Sequence, residues 1–199
     1  MSARQPRRAR QLGSIAVEAA LLLPMLLGIG LVGTDMHRVG IERAQIEQAA
    51  GSAAITLAAQ SQLTEAGLQG LIDVLTLGRP QNYQVEIMNV MQSGRVNWGF
   101  ERGEAGELCA SMSNGRDYLG ELPEDPPEED GDSGDDDAST LSMVVVQVCR
   151  KSSDLALTGG VVLPDTLGVR VIYRAVALKI ALDEALQEES QANGLSTSE

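Results

Sequence analysis

Aromatic side chains make up only 3% of this 199-residue chain, with one Trp, one Phe and three Tyr. Its core must therefore be built from Val, Ile, Leu and Ala, and is expected to be thin. Histidine is scarcer still: His37 stands alone, which leaves no second imidazole for a metal site or a nucleophile–base pair. Base is outnumbered, since 15 Lys and Arg against 28 Asp and Glu give a formal charge of −13. Such a surface argues against nucleic acid, or an anionic membrane surface, as the target of a soluble part. Phosphate loops and dinucleotide fingerprints are also lacking. Residues 28–33 spell GxGxxG, but inside an apolar run rather than after a strand, where glycines suit close helix packing instead. Neither a catalytic residue set nor a cofactor is expected, and the chain reads as a non-enzyme.

What is present begins with Gly13-Ser14-Ile15-Ala16-Val17-Glu18-Ala19-Ala20-Leu21-Leu22-Leu23-Pro24, a lone carboxylate at the mouth of an apolar run. Residues 14–33 as a helix would span roughly 30 Å, the thickness of a bilayer's hydrocarbon core. Glu18 inside that span costs on the order of a few kcal/mol unless it is paired or near the interface, so it calls for a function. Residues 1–13 hold four arginines and no acid. Positive charge beside the first apolar segment keeps that flank cytoplasmic and sends everything after about Thr34 across the membrane.

This constellation resembles a type IV prepilin, in which a basic leader ends in Gly, a prepilin peptidase cuts after it, and the fifth mature residue is Glu. The resemblance implies cleavage between Gly13 and Ser14, with Glu18 as that fifth residue. Two other readings compete. A plain signal anchor has no need of Glu18, and a removed Sec signal has an apolar core of roughly 7–15 residues, shorter than this run.

Topology places Cys109 and Cys149 outside the membrane. In an oxidising envelope an isolated pair most simply forms a disulfide, worth about 4 kcal/mol on the chain-entropy model. A two-cysteine metal site and a reactive thiol are the alternatives, although a single His and no CxxC leave zinc few ligands.

Beyond the span, residues 35–61 carry apolar or small residues at Val39, Ile46, Ala49, Ala50, Ala53, Ile55 and Leu57 between Arg38, Glu42, Arg43 and Glu47. That pattern predicts an amphipathic helix continuous with the membrane segment, its small-residue face open to close approach by another helix. Thr64 is the N-cap of a shorter helix that buries Leu68, Leu71, Ile72 and Leu75 and ends at Gly78 before Pro80. The period then becomes two. Residues 83–90 and 95–100 alternate around Ser93-Gly94, which predicts a β-hairpin with Trp98 packed under the sheet. Residues 141–149 and 168–176 read as third and fourth strands. Leu178, Leu182 and Leu186 predict a C-terminal helix over 178–192, with 193–199 frayed.

The expected fold is α+β and type IV pilin-like: a long N-terminal membrane helix, then a small antiparallel sheet domain with one disulfide. Its parts are a removable leader (1–13), a transmembrane helix (14–34), a helical region (35–78), a β-rich domain (79–192) and a tail (193–199). Residues 121–137 contain ten acids and no base, predicting a solvated, self-repelling loop between the second and third strands. Calcium on Asp132, Asp135, Asp136 and Asp137 is the sharper alternative, although no EF-hand order is completed there.

The opening residues are similar to those of the TadE/TadF-like minor pilins (pseudopilins) of the Tad, or tight adherence, pilus system. The likeness is strongest over residues 10–34. The strand at 142–149 with paired cysteines looks more like the TadF branch. The resemblance implies a bacterial inner-membrane, single-pass protein with a cytoplasmic N-terminus and an extracytoplasmic domain, able to enter a pilus that serves adhesion and biofilm formation. Its implied partners are a prepilin peptidase, other pilin and pseudopilin subunits, the Tad inner-membrane assembly platform and the lipid bilayer. Glu18 would pair with the new amino group of a neighbour's Ser14, compensating both buried charges. Pro24 removes one helical hydrogen bond, either as a tolerated kink or to loosen the helix for transfer out of the bilayer. The rival function is a membrane-anchored envelope protein that binds a ligand, such as calcium, through the acidic loop.

Overall fold

The computed structural model describes residues 8–124, 141–155, 164–177 and 179–194, with backbone alone for 8–15. In chain order the elements are α1 (Arg8–Ala58), β1 (Gln62–Leu63), α2 (Glu65–Leu75), a 3-10 turn (Pro80–Asn82), β2 (Tyr83–Met91), β3 (Val96–Gly103), β4 (Ser113–Asn114), β5 (Asp117–Tyr118), β6 (Ser142–Lys151), a second 3-10 turn (Ser152–Asp154), β7 (Thr166–Arg174), β8 (Ala181–Leu182) and α3 (Glu184–Ala192). The chain divides into two compact units. One comprises Met1–Ile41 with Ser152–Pro164, and the other Glu42–Lys151 with Asp165–Glu199.

The first unit is dominated by the N-terminal part of α1, where no proline but Pro24 interrupts the helical pattern. The second unit is an α+β domain on a four-stranded sheet of order β3-β2-β6-β7, antiparallel throughout. Ile87 lies opposite Phe100 on one side and Val146 on the other, and Val146 lies opposite Val171. Side chains alternate between faces along a strand. Tyr83, Val85 and Ile87 therefore share a face with Val144, Val146, Val148 and Arg150, whereas Gln84, Glu86 and Met88 share the other with Val145, Gln147 and Cys149.

Helices cover the first face. Glu42, Ile46, Ala50, Ala53 and Leu57 recur at helical spacing on α1 and are buried. Glu42 bonds Tyr83 and Arg150, so this stripe is turned to their face of the sheet. Alanines let the helix sit close. Trp98 is also buried on that side and donates from Nε1 to the Ile180 carbonyl at 3.1 Å, with the Phe100 ring 5.5 Å away. Asp183 orders two helix starts at once: Oδ1 accepts from Leu186 N at 3.0 Å in α3, and Oδ2 from Glu65 N at 2.7 Å in α2. One carboxylate thus meets the positive ends of two helices.

The second face is covered by the chain that follows β3, residues 104–122, which contributes Met112 and Tyr118 to a cluster with Met88, Val90, Val96 and Val145. The short β4–β5 hairpin belongs to that cover. Two glycines allow the path. Gly94, at φ 85°, closes the turn between β2 and β3, its N–H bonded to the Met91 carbonyl at 2.9 Å. Gly103, at φ 97°, leaves β3 so close to the Tyr83 carbonyl that a Cβ would collide with it.

The expected elements recur with shifted ends. The hairpin and the third and fourth strands form, and Thr64 caps α2 through Oγ1 to Gly67 N at 3.1 Å. Leu68, Ile72 and Leu75 are buried there, while Leu71 is only half-buried. Ile55 departs from the expected inner face of α1 and is 48% exposed. The C-terminal helix is shorter than 178–192 predicts. Leu182 belongs instead to β8, which pairs in parallel with β1, and α3 starts after its Asp183 cap. Four-residue leucine spacing does not separate a strand followed by a capped helix from one helix. Period two is also hidden in β2 and β6, which are buried on both faces because the sheet is covered on both sides. The acidic stretch 125–137 and residues 195–199 lie outside the described residues.

Candidate functional site

The apolar part of α1 comes first in the chain. From Ala16 onward α1 has a mean hydropathy of 2.0 in its most apolar window, and it is long and apolar enough to cross a membrane. Val17, Leu21, Leu22, Leu23, Met25 and Leu26 are each more than half exposed. Apolar side chains bared on every side are what a membrane-spanning helix presents. Gly13 and Ser14 lie within the helix, past its start at Arg8, and only their backbone is described. Glu18 is exposed on the same helix, just before the first leucines. Pro24 is accommodated inside the helix. His37 is exposed on α1, away from any cluster of ligating side chains among the described residues.

Where α1 enters the second unit, Glu42 is buried in a charged knot that local sequence patterns do not foretell. The Arg150 guanidinium and the Tyr83 hydroxyl both donate to Glu42 Oε1. Arg150 Nη1 also donates to Tyr83 Oη at 2.9 Å, and Arg79 Nη2 lies 3.6 Å from Glu42. The Arg150 guanidinium stacks 5.0 Å above the Tyr83 ring. Burial pushes the Tyr83 phenol up, and its hydrogen bond to Glu42 adds to that. The amphipathic pattern counts Glu42 among the charged residues between the apolar positions, and its partner Arg150 lies 108 residues away.

On the opposite face, Cys109 and Cys149 form the disulfide, with their Cα atoms 5.4 Å apart. It staples the covering segment to β6. Gln84 Oε1 accepts from the N–H groups of Leu108 and Cys109 at 2.6 and 2.7 Å, and Gln147 Nε2 donates to the Ala110 carbonyl at 2.8 Å. Gln84 and Gln147 therefore serve a half-buried loop whose backbone has no ladder of its own.

The start of the acidic tract is held at one end of the sheet. Gln92 Nε2 donates to the Pro123 carbonyl at 2.9 Å, and Arg174 Nη2 to the Glu124 carbonyl at 3.0 Å. Gln92 N also donates to the Leu141 carbonyl at 2.8 Å, so the chain leaves and re-enters beside the same residue. Asp132, Asp135, Asp136 and Asp137 lie outside the described residues. No family model, curated protein or solved structure matches the chain. The functional reading therefore rests on the residues themselves.

Two cavities of the second unit lie beside β3. One of about 420 Å³ is lined by Arg95, Arg116, Lys179, Trp98 and Gln187. The other, about 450 Å³, opens beside β3 and contains Glu86, Glu101, Ser111 and Ser113. Glu86 is 7% exposed and faces Glu101 directly across the β2–β3 pair. Burial raises its carboxyl above the usual range, and Glu101 adds to the rise. No group of three metal-ligating His, Cys, Asp or Glu side chains is found among the described residues.

Proposed function

We propose that this protein is a minor pilin or pseudopilin, a structural or assembly component of a Tad-type pilus that supports pilus biogenesis and surface adhesion. In this reading a prepilin peptidase cuts after Gly13 on the cytoplasmic side. The helix starting at Ser14 then holds the protein in the inner membrane, with the sheet domain on the far side. Other pilin subunits and the assembly platform are its partners.

One observation carries the reading. A single continuous helix, α1, bares apolar side chains around its N-terminal part and buries an alanine-rich stripe of its C-terminal part in an α+β domain. That is the division of labour a filament subunit needs: one segment that exchanges lipid for neighbouring helices, and one that carries a folded head. The Gly13–Glu18 spacing supplies the processing signal, and the leader arginines supply orientation.

The test is the N-terminus of the membrane-extracted protein, read by mass spectrometry with and without an active prepilin peptidase in the host. A start at Ser14 that depends on the peptidase is the expected result. A retained arginine-rich leader in both hosts removes the pilin reading and leaves a plain membrane anchor.

A further inference from the structure

The cavity beside β3 has a feature that the anchor and the staple do not explain. Glu86 Oε2 is buried and finds no hydrogen-bond partner among the described residues. The carboxylate does receive one bond, from the backbone N–H of Met112. A buried oxygen without a partner is costly, and a native fold that retains one has a use for it or a bound species to satisfy it. Glu101 stands opposite on the adjacent strand, and directly opposed pairs have Cβ atoms about 5 Å apart. Buried Glu86 and exposed Glu101, whose Oε1 accepts from Gln84 Nε2 at 2.8 Å, thus line one cavity of about 450 Å³ together with Ser111, Ser113 and the apolar Met88.

A cation is the chemistry such a pair takes. A metal ion suits it poorly. The other carboxylate lining the cavity, Glu189, is engaged by both nitrogens of the Arg102 fork at 2.6 Å, and no three ligating side chains converge among the described residues. The space is also far larger than a single ion. A planar guanidinium, by contrast, donates in parallel to paired acceptors and lays an apolar stem against a wall such as Met88. The chain's formal charge of −13 favours the approach of a basic partner. We propose that the Glu86–Glu101 cavity is a docking site for an arginine side chain presented by a partner protein.

The site lies wholly in the sheet domain, so the outcome of N-terminal processing neither supports nor removes it. Full-length protein in detergent micelles, carrying ¹³C-methyl methionine, is titrated with N-acetyl-arginine methylamide while the Met88 methyl resonance, assigned through Met88→Leu, is followed. Parallel titrations use N-acetyl-glutamine methylamide and calcium chloride. The expected result is a saturable Met88 shift with the arginine compound alone, weakened about tenfold or more in Glu86→Gln, the loss of one charged hydrogen-bonded pair. Asp135→Asn/Asp136→Asn/Asp137→Asn leaves it unchanged, which separates the site from the acidic tract. Glu86→Gln keeps an unfolding midpoint at or above that of the unchanged protein, so its weaker binding is not a folding defect. A shift of equal affinity in Glu86→Gln, saturation by calcium instead, or no saturable shift at all overturns the proposal.

Discussion

The two parts of α1 are built from the same backbone geometry and opposite surfaces. Between Val17 and Leu31 large apolar side chains stand exposed around the helix, whereas between Glu42 and Ala58 the buried positions form one stripe dominated by alanine, opposite Arg43, Glu47 and Gln48. The first part is long and apolar enough to cross a membrane. The second part is packed into its own domain, and is fixed there by the Glu42–Arg150–Tyr83 knot. Assembly and stability should therefore respond to different substitutions within one helix.

The sharpest separation is expected at Glu18. In Glu18→Ala the protein should still be cleaved and reach the membrane, yet fail to support pilus assembly, while the sheet domain unfolds within about 0.5 kcal/mol of the unchanged protein, as distant surface changes do. Electron microscopy of pili beside denaturant unfolding reads both quantities, and normal piliation would sink the role given to Glu18. The converse is Arg150→Met, which leaves Glu42 buried without its main counter-charge. It should cost about 3–5 kcal/mol, and Glu42→Met/Arg150→Met together should recover most of that loss, because an apolar pair needs no compensation. If the single and double variants are equally destabilised, the knot does not act as an ion pair.

Next in size comes the staple on the far face of the sheet. Cys109→Ser/Cys149→Ser should lower stability by about 2–4 kcal/mol, read as a shift in the denaturant midpoint of full-length protein in micelles. Anchoring should be untouched, since the bond closes a loop within the sheet domain. Asp183→Ala removes one carboxylate that serves two helix starts, so a loss of about 1–2 kcal/mol is expected rather than the effect of a single cap. Asp183→Asn, which keeps an acceptor oxygen, should lose about half of that.

These residues also show what was legible beforehand. The apolar part of α1 announced itself through composition, and α2 through Thr64 and its leucines, because both signals are local. The strands were legible through β-branched runs and the Ser93-Gly94 turn. Glu42 was not, since a carboxylate on an amphipathic helix looks solvated until Arg150, far along the chain, is folded against it. Asp183 was missed for the same reason: one of its two hydrogen bonds reaches back 118 residues to Glu65. The β4–β5 hairpin gives only two residues per strand, too few for a periodic signal. Glu86 read as an outward residue of an alternating strand, and only the covering segment held by Cys109 and Gln84 makes its position an interior one.

Glu86 gives the smallest and most diagnostic effect, one of sign. Met112 N–H and Arg170 favour its charged form, but burial and Glu101 outweigh them and hold its carboxyl above the usual range. A carboxyl whose pKa is higher folded than unfolded binds its proton more tightly in the folded state. Its contribution is therefore neutral at pH values below both pKa values, becomes unfavourable as pH rises from the unfolded value through the folded one, and stays unfavourable above. Glu86→Gln removes that cost without changing side-chain size. Its stability relative to the unchanged protein should accordingly rise as the pH is raised from about 4, the ordinary carboxyl value, and level off only above the raised folded-state value. Paired denaturant titrations across that range check it. A difference that stays flat with pH would mean that Glu86 titrates as a solvated carboxylate, and that the covering segment does not shield it as the Cys109–Cys149 staple implies.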